Sequence, residues 1–371
     1  LQGGAPSERA RLASEIRAIF ERDLGQPEAA FMNALKAFTD GLDRAAIQPE
    51  LERLARQTSS FEELAEIYET TVEELKPDDE MRVPLLRRGA ELREQLNEPD
   101  EATKLWKLLL EAEPQDRQAL DSLSRLYEKS NNAKSLSDVY AKKAMLAEDP
   151  KERVELLTRA AEAFETAGDD GQAIESYKMA FAVGHSRDVL EHLERLLGRN
   201  KRSLEQSDVL SQLADGAGDD RERLAYLIKR GLILEKEQQH AESLRVFGEA
   251  LRISPTEPYA IAALERLLQL DDAKLEAARL LEGAYRASND QKHLVEVLDV
   301  RLLAAEPSQR VPMLKEIADL RELVGQKNHA LIARIKAFNE APGDAEVRDQ
   351  LERLSADLGA FEELAAAYED A

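Results

Sequence analysis

The sequence predicts an all-α protein, an α-solenoid of antiparallel helix pairs with about 21 helices of roughly 11 to 18 residues and no strand. Three observations point there. Leu51-Glu52-Arg53-Leu54 recurs as Leu123-Ser124-Arg125-Leu126, Leu193-Glu194-Arg195-Leu196, Leu264-Glu265-Arg266-Leu267 and Leu351-Glu352-Arg353-Leu354, in steps of 72, 70, 71 and 87 residues. A period of that length implies one supersecondary unit stacked along an axis, which builds a long surface rather than a pocket. The composition, 43% hydrophobic and 34% charged, suits extended helical protein. The 17 glycines and 13 prolines fall between apolar-periodic stretches, as helix punctuation should.

The elements come in order. A degenerate first copy around Phe20, Ala30, Ala34 and Ala37 leads into a second hairpin from Leu51 to Tyr68. The next tight hairpin is carried by Ala90, Ala102, Trp106 and Pro114, and the looser one after it by Leu120, Leu123, Tyr127, Leu136 and Tyr140. The clearest pair spans 151–167 and 170–183, with a turn at Gly168-Asp169-Asp170. Ala161, Ala173 and Ala180 let its backbones approach while Leu157, Phe164 and Tyr177 fill the space alongside; 173, 177 and 180 share one helical face. Gly231, Ser243, Phe247, Ala250 and Pro255 repeat the pattern, as do Leu314, Ala318, Ala330, Ala337 and Pro342. The last hairpin runs from Leu351 to Tyr368, and its Phe361-Glu362-Glu363-Leu364-Ala365 repeats Phe61-Glu62-Glu63-Leu64-Ala65.

This alternation of small and large residues, closed by proline, resembles the tetratricopeptide repeat. The resemblance covers nearly the whole chain as alternating strong and weak hairpins, and it implies a right-handed superhelix. His185 stands where proline is expected, Arg334 where the large aromatic should be, and Leu136 in place of a small residue. A bulky residue in a crossing should splay the helices and alter the local pitch. The resemblance further implies that the first helix of each hairpin lines a concave groove. That wall would carry Arg87, Glu91 and Glu94; Glu155, Glu162 and Glu165; Ile228, Leu232 and Glu235; and Lys315, Asp319 and Glu322.

The 87-residue step has room for one extra helix. Leu281 to Ala305 aligns with Leu123 to Ala147, yet Leu264 to Asp290 also aligns with Leu193 to Asp219, so helix 272–287 matches two places in the unit. An odd helix reverses the direction of every helix after it, and a bend or subdomain break near 270–310 is expected. The units then divide at 1–78, 79–149, 150–218, 219–306 with the extra helix, and 307–371, truncated.

Charge and composition exclude several functions. A formal charge of −23 and a pI near 4.8 argue against nucleic acid, which needs a basic footprint. No cysteine is present, so disulfides and thiolate metal sites are excluded. No apolar run approaches the roughly 18 residues of a membrane span. His185, His192, His240, His293 and His329 are scattered, and no phosphate loop, nucleophile elbow or His-Glu-x-x-His stretch occurs. The acidic glycine loops at 167–171 and 216–220 read as helix caps rather than calcium sites. Trp106 reads as core. No catalytic, cofactor or metal residue is predicted. The start at Leu1-Gln2-Gly3-Gly4 without Met, and the stop at Ala371, suggest a piece of a longer protein.

These readings predict a non-enzymatic scaffold, bacterial in flavour and cytoplasmic (a periplasmic home also being compatible), that holds protein or peptide partners. A mostly acidic wall favours a basic or amphipathic segment, and Ile228 with Leu232 forms an apolar anchor, their burial against the extra helix being the rival reading. A Lys/Asn/Arg clamp for C-terminal carboxylates is disfavoured by the glutamates on the wall. Self-association through uncapped ends belongs to the same picture. The alternatives are a regulatory arm of a catalytic domain lying elsewhere and a half-a-tetratricopeptide RNA-processing factor.

Overall fold

The computed structural model describes residues 5–370, which form 21 α-helices, one π-helical turn and no strand. The Leu1-Gln2-Gly3-Gly4 start and the final Ala371 lie outside the described residues. The chain divides into two compact bodies between Ser186 and Arg187. The N-terminal body holds α1 (Pro6–Ala18), the π-helical turn Ile19–Asp23, α2 (Pro27–Thr39), α3 (Arg44–Thr58), α4 (Phe61–Glu74), α5 (Arg82–Gln95), α6 (Pro99–Ala112), α7 (Arg117–Lys129), α8 (Ala133–Leu146), α9 (Pro150–Thr166) and α10 (Asp170–Gly184). The C-terminal body begins with α11 (Arg187–Arg199), α12 (Ser203–Asp215), α13 (Asp220–Lys236), α14 (His240–Ile253), α15 (Pro258–Leu267) and α16 (Lys274–Ser288). It ends with α17 (Gln291–Leu302), α18 (Pro307–Leu323), α19 (Lys327–Glu340), α20 (Ala345–Leu358) and α21 (Phe361–Asp370).

Local chemistry sets the helix ends. Asp116, Asp169 and Asp219 accept hydrogen bonds from the backbone N–H groups of Ala119, Gln172 and Glu222 at 2.7, 3.1 and 2.8 Å, satisfying donors that the first turn leaves orphaned. The two acidic glycine loops therefore do cap α10 and α13. Pro27, Pro99, Pro150, Pro258 and Pro307 open helices, where a missing N–H costs nothing. Gly168 turns the chain between α9 and α10 with φ +79°. His185, in the place of the expected proline, ends α10 in the left-handed region with its N–H on the Phe181 carbonyl.

Packing obeys the sequence pattern. Ala161, Ala173 and Ala180 are fully buried, and so are Ala90, Ala102 and Trp106. The tight hairpins α5/α6, α9/α10, α13/α14 and α18/α19 pack more extensively than the loose ones, α3/α4, α7/α8, α11/α12 and α20/α21.

Helix directions can be read from partners. His240 and Asp272 are 32 residues apart, and Gly248 meets Leu280 at the same step. A constant offset means that α14 and α16 run parallel. Contacts at a similar step join α3 to α5 through Glu52–Arg88, α11 to α13 through Arg187–Glu222 and Glu194–Lys229, α13 to α15 through Glu235–Arg266, α16 to α18 through Arg286–Glu316, and α18 to α20 through Glu322–Arg353. In the C-terminal body, α14, α16, α18 and α20 thus form one layer, while α13 and α15 belong to the other.

The 87-residue step holds one extra helix, among α15, α16 and α17. Five helices, α15 to α19, separate the last two tetrapeptides, where four separate the earlier ones. Helix α16 packs on both neighbours, more on α17 than on α15, yet α15 carries the tetrapeptide, and its Glu265 accepts from Tyr285 of α16 as Glu52 of α3 does from Tyr68 of α4. Because α15 is parallel to α13 and α16 to α18, α18 runs opposite to α13, as an odd insertion requires. The division of the described residues into two compact bodies falls at Ser186/Arg187, not near 270–310. One apolar core from Leu244 to Ala333 runs through that stretch, since α15 buries Ala260, Ala263, Leu264 and Leu267 completely.

Candidate partner-binding surfaces

The recurring tetrapeptide has a distinct job for each position. Its two leucines are buried in every copy. Its glutamate faces the next helix: Glu52 accepts from the Tyr68 hydroxyl at 3.3 Å, Glu265 from Tyr285 at 2.7 Å and Glu352 from Tyr368. Glu194 instead takes Gln206 at 2.5 Å and pairs with Lys229 at 2.8 Å. Its arginine reaches back one hairpin. Arg53 holds Glu21 and Arg266 holds Glu235 through two nitrogens each, every contact being 2.7 Å. Arg353 meets Glu322 at 2.6 Å and Arg125 meets Glu94 at 3.6 Å. Two-point arginine–carboxylate contacts fix orientation as well as adding attraction. This stitching was missed at the sequence level, although a glutamate about 31 residues before these arginines was there to be found.

The predicted wall residues lie on α5, α9, α13 and α18, and many are tied within the fold. On α5, Arg87 meets Asp116 at 2.5 Å, Glu91 pairs with Arg88 at 2.6 Å and accepts from Gln118 at 2.8 Å, and Glu94 accepts from Trp106 Nε1 at 2.7 Å. On α9, Glu155 forms an exposed pair with Arg159 at 2.8 Å, Glu162 is exposed and Glu165 is half-buried. On α13, Glu235 is held by Arg266, and Ile228 with Leu232 is half-buried against the core that includes α15 and α16. On α18, Lys315 meets Asp344 at 3.6 Å and also Glu346, while Asp319 and Glu322 receive the buried Arg334.

The structure does not bring the last two groups onto one wall. Helices α13 and α18 lie in opposite layers because the one extra helix between them shifts the alternation by one. Lys315, Asp319 and Glu322 therefore share a layer with α14 and α16, not with Ile228, Leu232 and Glu235.

Two adjoining cavities open over the α14 layer. One, about 520 Å³, lies among α12, α13 and α14 and is lined by Arg223, Arg230, Arg245, Arg252, Asp215 and Glu249. The other, about 620 Å³, is the groove between α14 and α16, floored by Leu244, Leu251 and Leu280. Arg245 and Arg252 line both. Arg245 spans Glu242 and Glu249 and holds the Glu242 carboxyl below its usual range; Arg279 does the same for Glu276. At the rim, His240 lies 2.8 Å from Asp272 and lowers that carboxyl's pKa. Among the described residues, no group of three or more His, Asp or Glu side chains is placed to hold a metal, and no helix is long and apolar enough to cross a membrane.

Small residues at the hairpin crossings, large ones beside them and an alternation of tight and loose antiparallel pairs decide the fold. It is an all-α helical repeat whose hairpins resemble tetratricopeptide units. No protein-family model matches the chain, and no curated protein does. Among solved structures it is similar to a chain of Naa15/Naa10 bound to HypK-THB, with TM-score 0.35 and 14% identity over 96% of this chain and 62% of that one. It is similar to YrrB, a TPR protein with an unusual peptide-binding site, with TM-score 0.28 and 17% identity over 54% of this chain and 99% of that one. A tetratricopeptide repeat protein from Parabacteroides merdae gives TM-score 0.30 and 14% identity, over 70% and 98% of the respective chains. The chain thus spans less than two thirds of the Naa15/Naa10 chain it matches.

Proposed function

We propose that this tetratricopeptide-like chain is a non-enzymatic scaffold whose first-helix surfaces hold basic or amphipathic segments of partner proteins. The observation that carries the reading is on α9. Glu155 and Glu162, seven residues apart on one face, are both exposed, and Glu155 is tied only by an exposed i,i+4 pair. Such a pair is worth about 0.3–0.5 kcal/mol and exchanges readily for a partner's cation. A chain of charge −23 also speeds encounter with a basic segment. Within the N-terminal body, Arg87, Glu91, Glu94 and Glu165 are secondary anchors in this reading; Ile228, Leu232 and Glu235 on α13, and Lys315, Asp319 and Glu322 on α18, belong to separate surfaces of the C-terminal body.

The test is fluorescence anisotropy with a labelled amphipathic Lys/Leu peptide. Binding should weaken as salt rises, and the double substitution Glu155→Lys and Glu162→Lys should cost about tenfold or more in affinity. Unchanged affinity in that variant would remove α9 from the binding surface.

A further inference from the structure

We infer that the paired cavities over α12, α14 and α16 form a second recognition site, opposite in polarity to the α9 surface, for an extended acidic–apolar peptide segment. Within a strongly acidic chain, this region gathers arginines at helical spacing: Arg223 and Arg230 on α13, Arg245 and Arg252 on α14. Arg230 is buried and spent on Glu242 at 2.8 Å, and Arg245 on Glu242 and Glu249. Arg223 and Arg252 are exposed and have no ion-pair partner among the described residues. Both line the cleft, and Arg252 also lines the groove. Two unneutralised guanidiniums on a common cavity are a two-point receptor for carboxylates.

The groove supplies the apolar half. Leu244, Leu251 and Leu280 floor it, and Gly248 and Gly283 stand on its two sides. A Cβ at Gly283 would meet nothing within 4 Å, so a peptide backbone has room to lie against α16. A glycine inside a helix costs about 1 kcal/mol relative to alanine, and at Gly283 no packing within the fold requires it. Carboxylates already present (Asp215, Glu249, Asp272 and Glu276) keep the site from suiting a dense polyanion such as nucleic acid. One or two acidic residues beside an apolar one fit it better. The α13 residues that face this site, Arg223 and Arg230, lie on roughly the opposite side of the helix from Ile228, Leu232 and Glu235 at 3.6 residues per turn. The two sites are therefore separate.

The experiment uses the whole chain and a labelled peptide alternating Glu and Leu, read by anisotropy. Wild type should bind it, with affinity falling as salt rises. Arg223→Glu with Arg252→Glu should cost tenfold or more, and Gly283→Phe, whose Cβ has open space on the groove side, should weaken binding comparably by filling the groove. Circular dichroism and the thermal midpoint should show both variants folded. Glu155→Lys with Glu162→Lys should leave this affinity intact, which separates the present site from the α9 surface. No binding, equal binding by the variants, or displacement of the peptide by single-stranded RNA would overturn the assignment.

Discussion

Arg334 shows how one side chain departs from the repeat pattern and is accommodated. It occupies the position held by Trp106 and Phe247 in other tight hairpins, yet its side chain is only 2% exposed. Its Nη2 reaches Asp319 and Glu322, while its Nε is buried without an acceptor. Desolvating a guanidinium costs several kcal/mol, and because Asp319 is 68% exposed and Glu322 already holds Arg353, the ion pair offsets little of it and neither carboxylate is stranded by removing the arginine. Arg334→Met should therefore be neutral or stabilising, by up to about 1–4 kcal/mol in a denaturant titration. Glu322 keeps Arg353 in either case. A loss beyond about 2 kcal/mol would show that the ion pair itself holds the hairpin.

Among elements, the α13/α14 hairpin depends on backbone approach. A Cβ on Gly231 would lie 2.6 to 3.0 Å from three carbons of the Phe247 ring, and both residues are fully buried or nearly so. Alanine returns up to about 1 kcal/mol of helix propensity, but overpacking against an aromatic ring costs about 1–3 kcal/mol. Gly231→Ala should thus be destabilising overall by about 1–2 kcal/mol, measured as a lower unfolding midpoint; a rise in the midpoint would show that Phe247 swings clear. The same residue was legible in sequence, because Gly231, Ser243 and Ala250 sit at the small positions of the pattern. The helices and their tight and loose alternation were legible for this reason: a small–large code is local. Which helix of the 87-residue step is the extra one was not, because α15, α16 and α17 carry similar apolar faces, and the consequence for the wall, that α13 and α18 fall in opposite layers, depends on counting helices. The Arg223–Arg252 site escaped as well. Its arginines come from two helices, and only the fold shows which of them lack carboxylates.

For the whole molecule, pH is the simplest probe of these networks. Arg53, Arg245 and Arg279 hold Glu21, Glu242 and Glu276 below the usual carboxylate range by hydrogen bonding and charge. Folded values below unfolded ones mean stability that is present above about pH 4.3 and lost as pH falls through the folded values. Burial, helped by Glu52 and Glu265, raises the Tyr68 and Tyr285 hydroxyls. Their contribution is complete below about pH 10 and disappears as pH climbs beyond it. A thermal-midpoint profile should be flat from about pH 5 to 9 and fall on both sides, with Tyr68→Phe softening the alkaline fall. A profile declining steadily through neutrality would mean that other groups govern the fold.

The odd helix between α14 and α18 has an outcome beyond geometry. By offsetting the count by one, it turns the same hairpin grammar inside out, so that the C-terminal body shows a leading helix to each of its two sides. The two leading-helix surfaces of that body therefore belong to different layers. Deleting one helix would restore the even count but open the core that α15 helps to fill through Ala260, Ala263, Leu264 and Leu267.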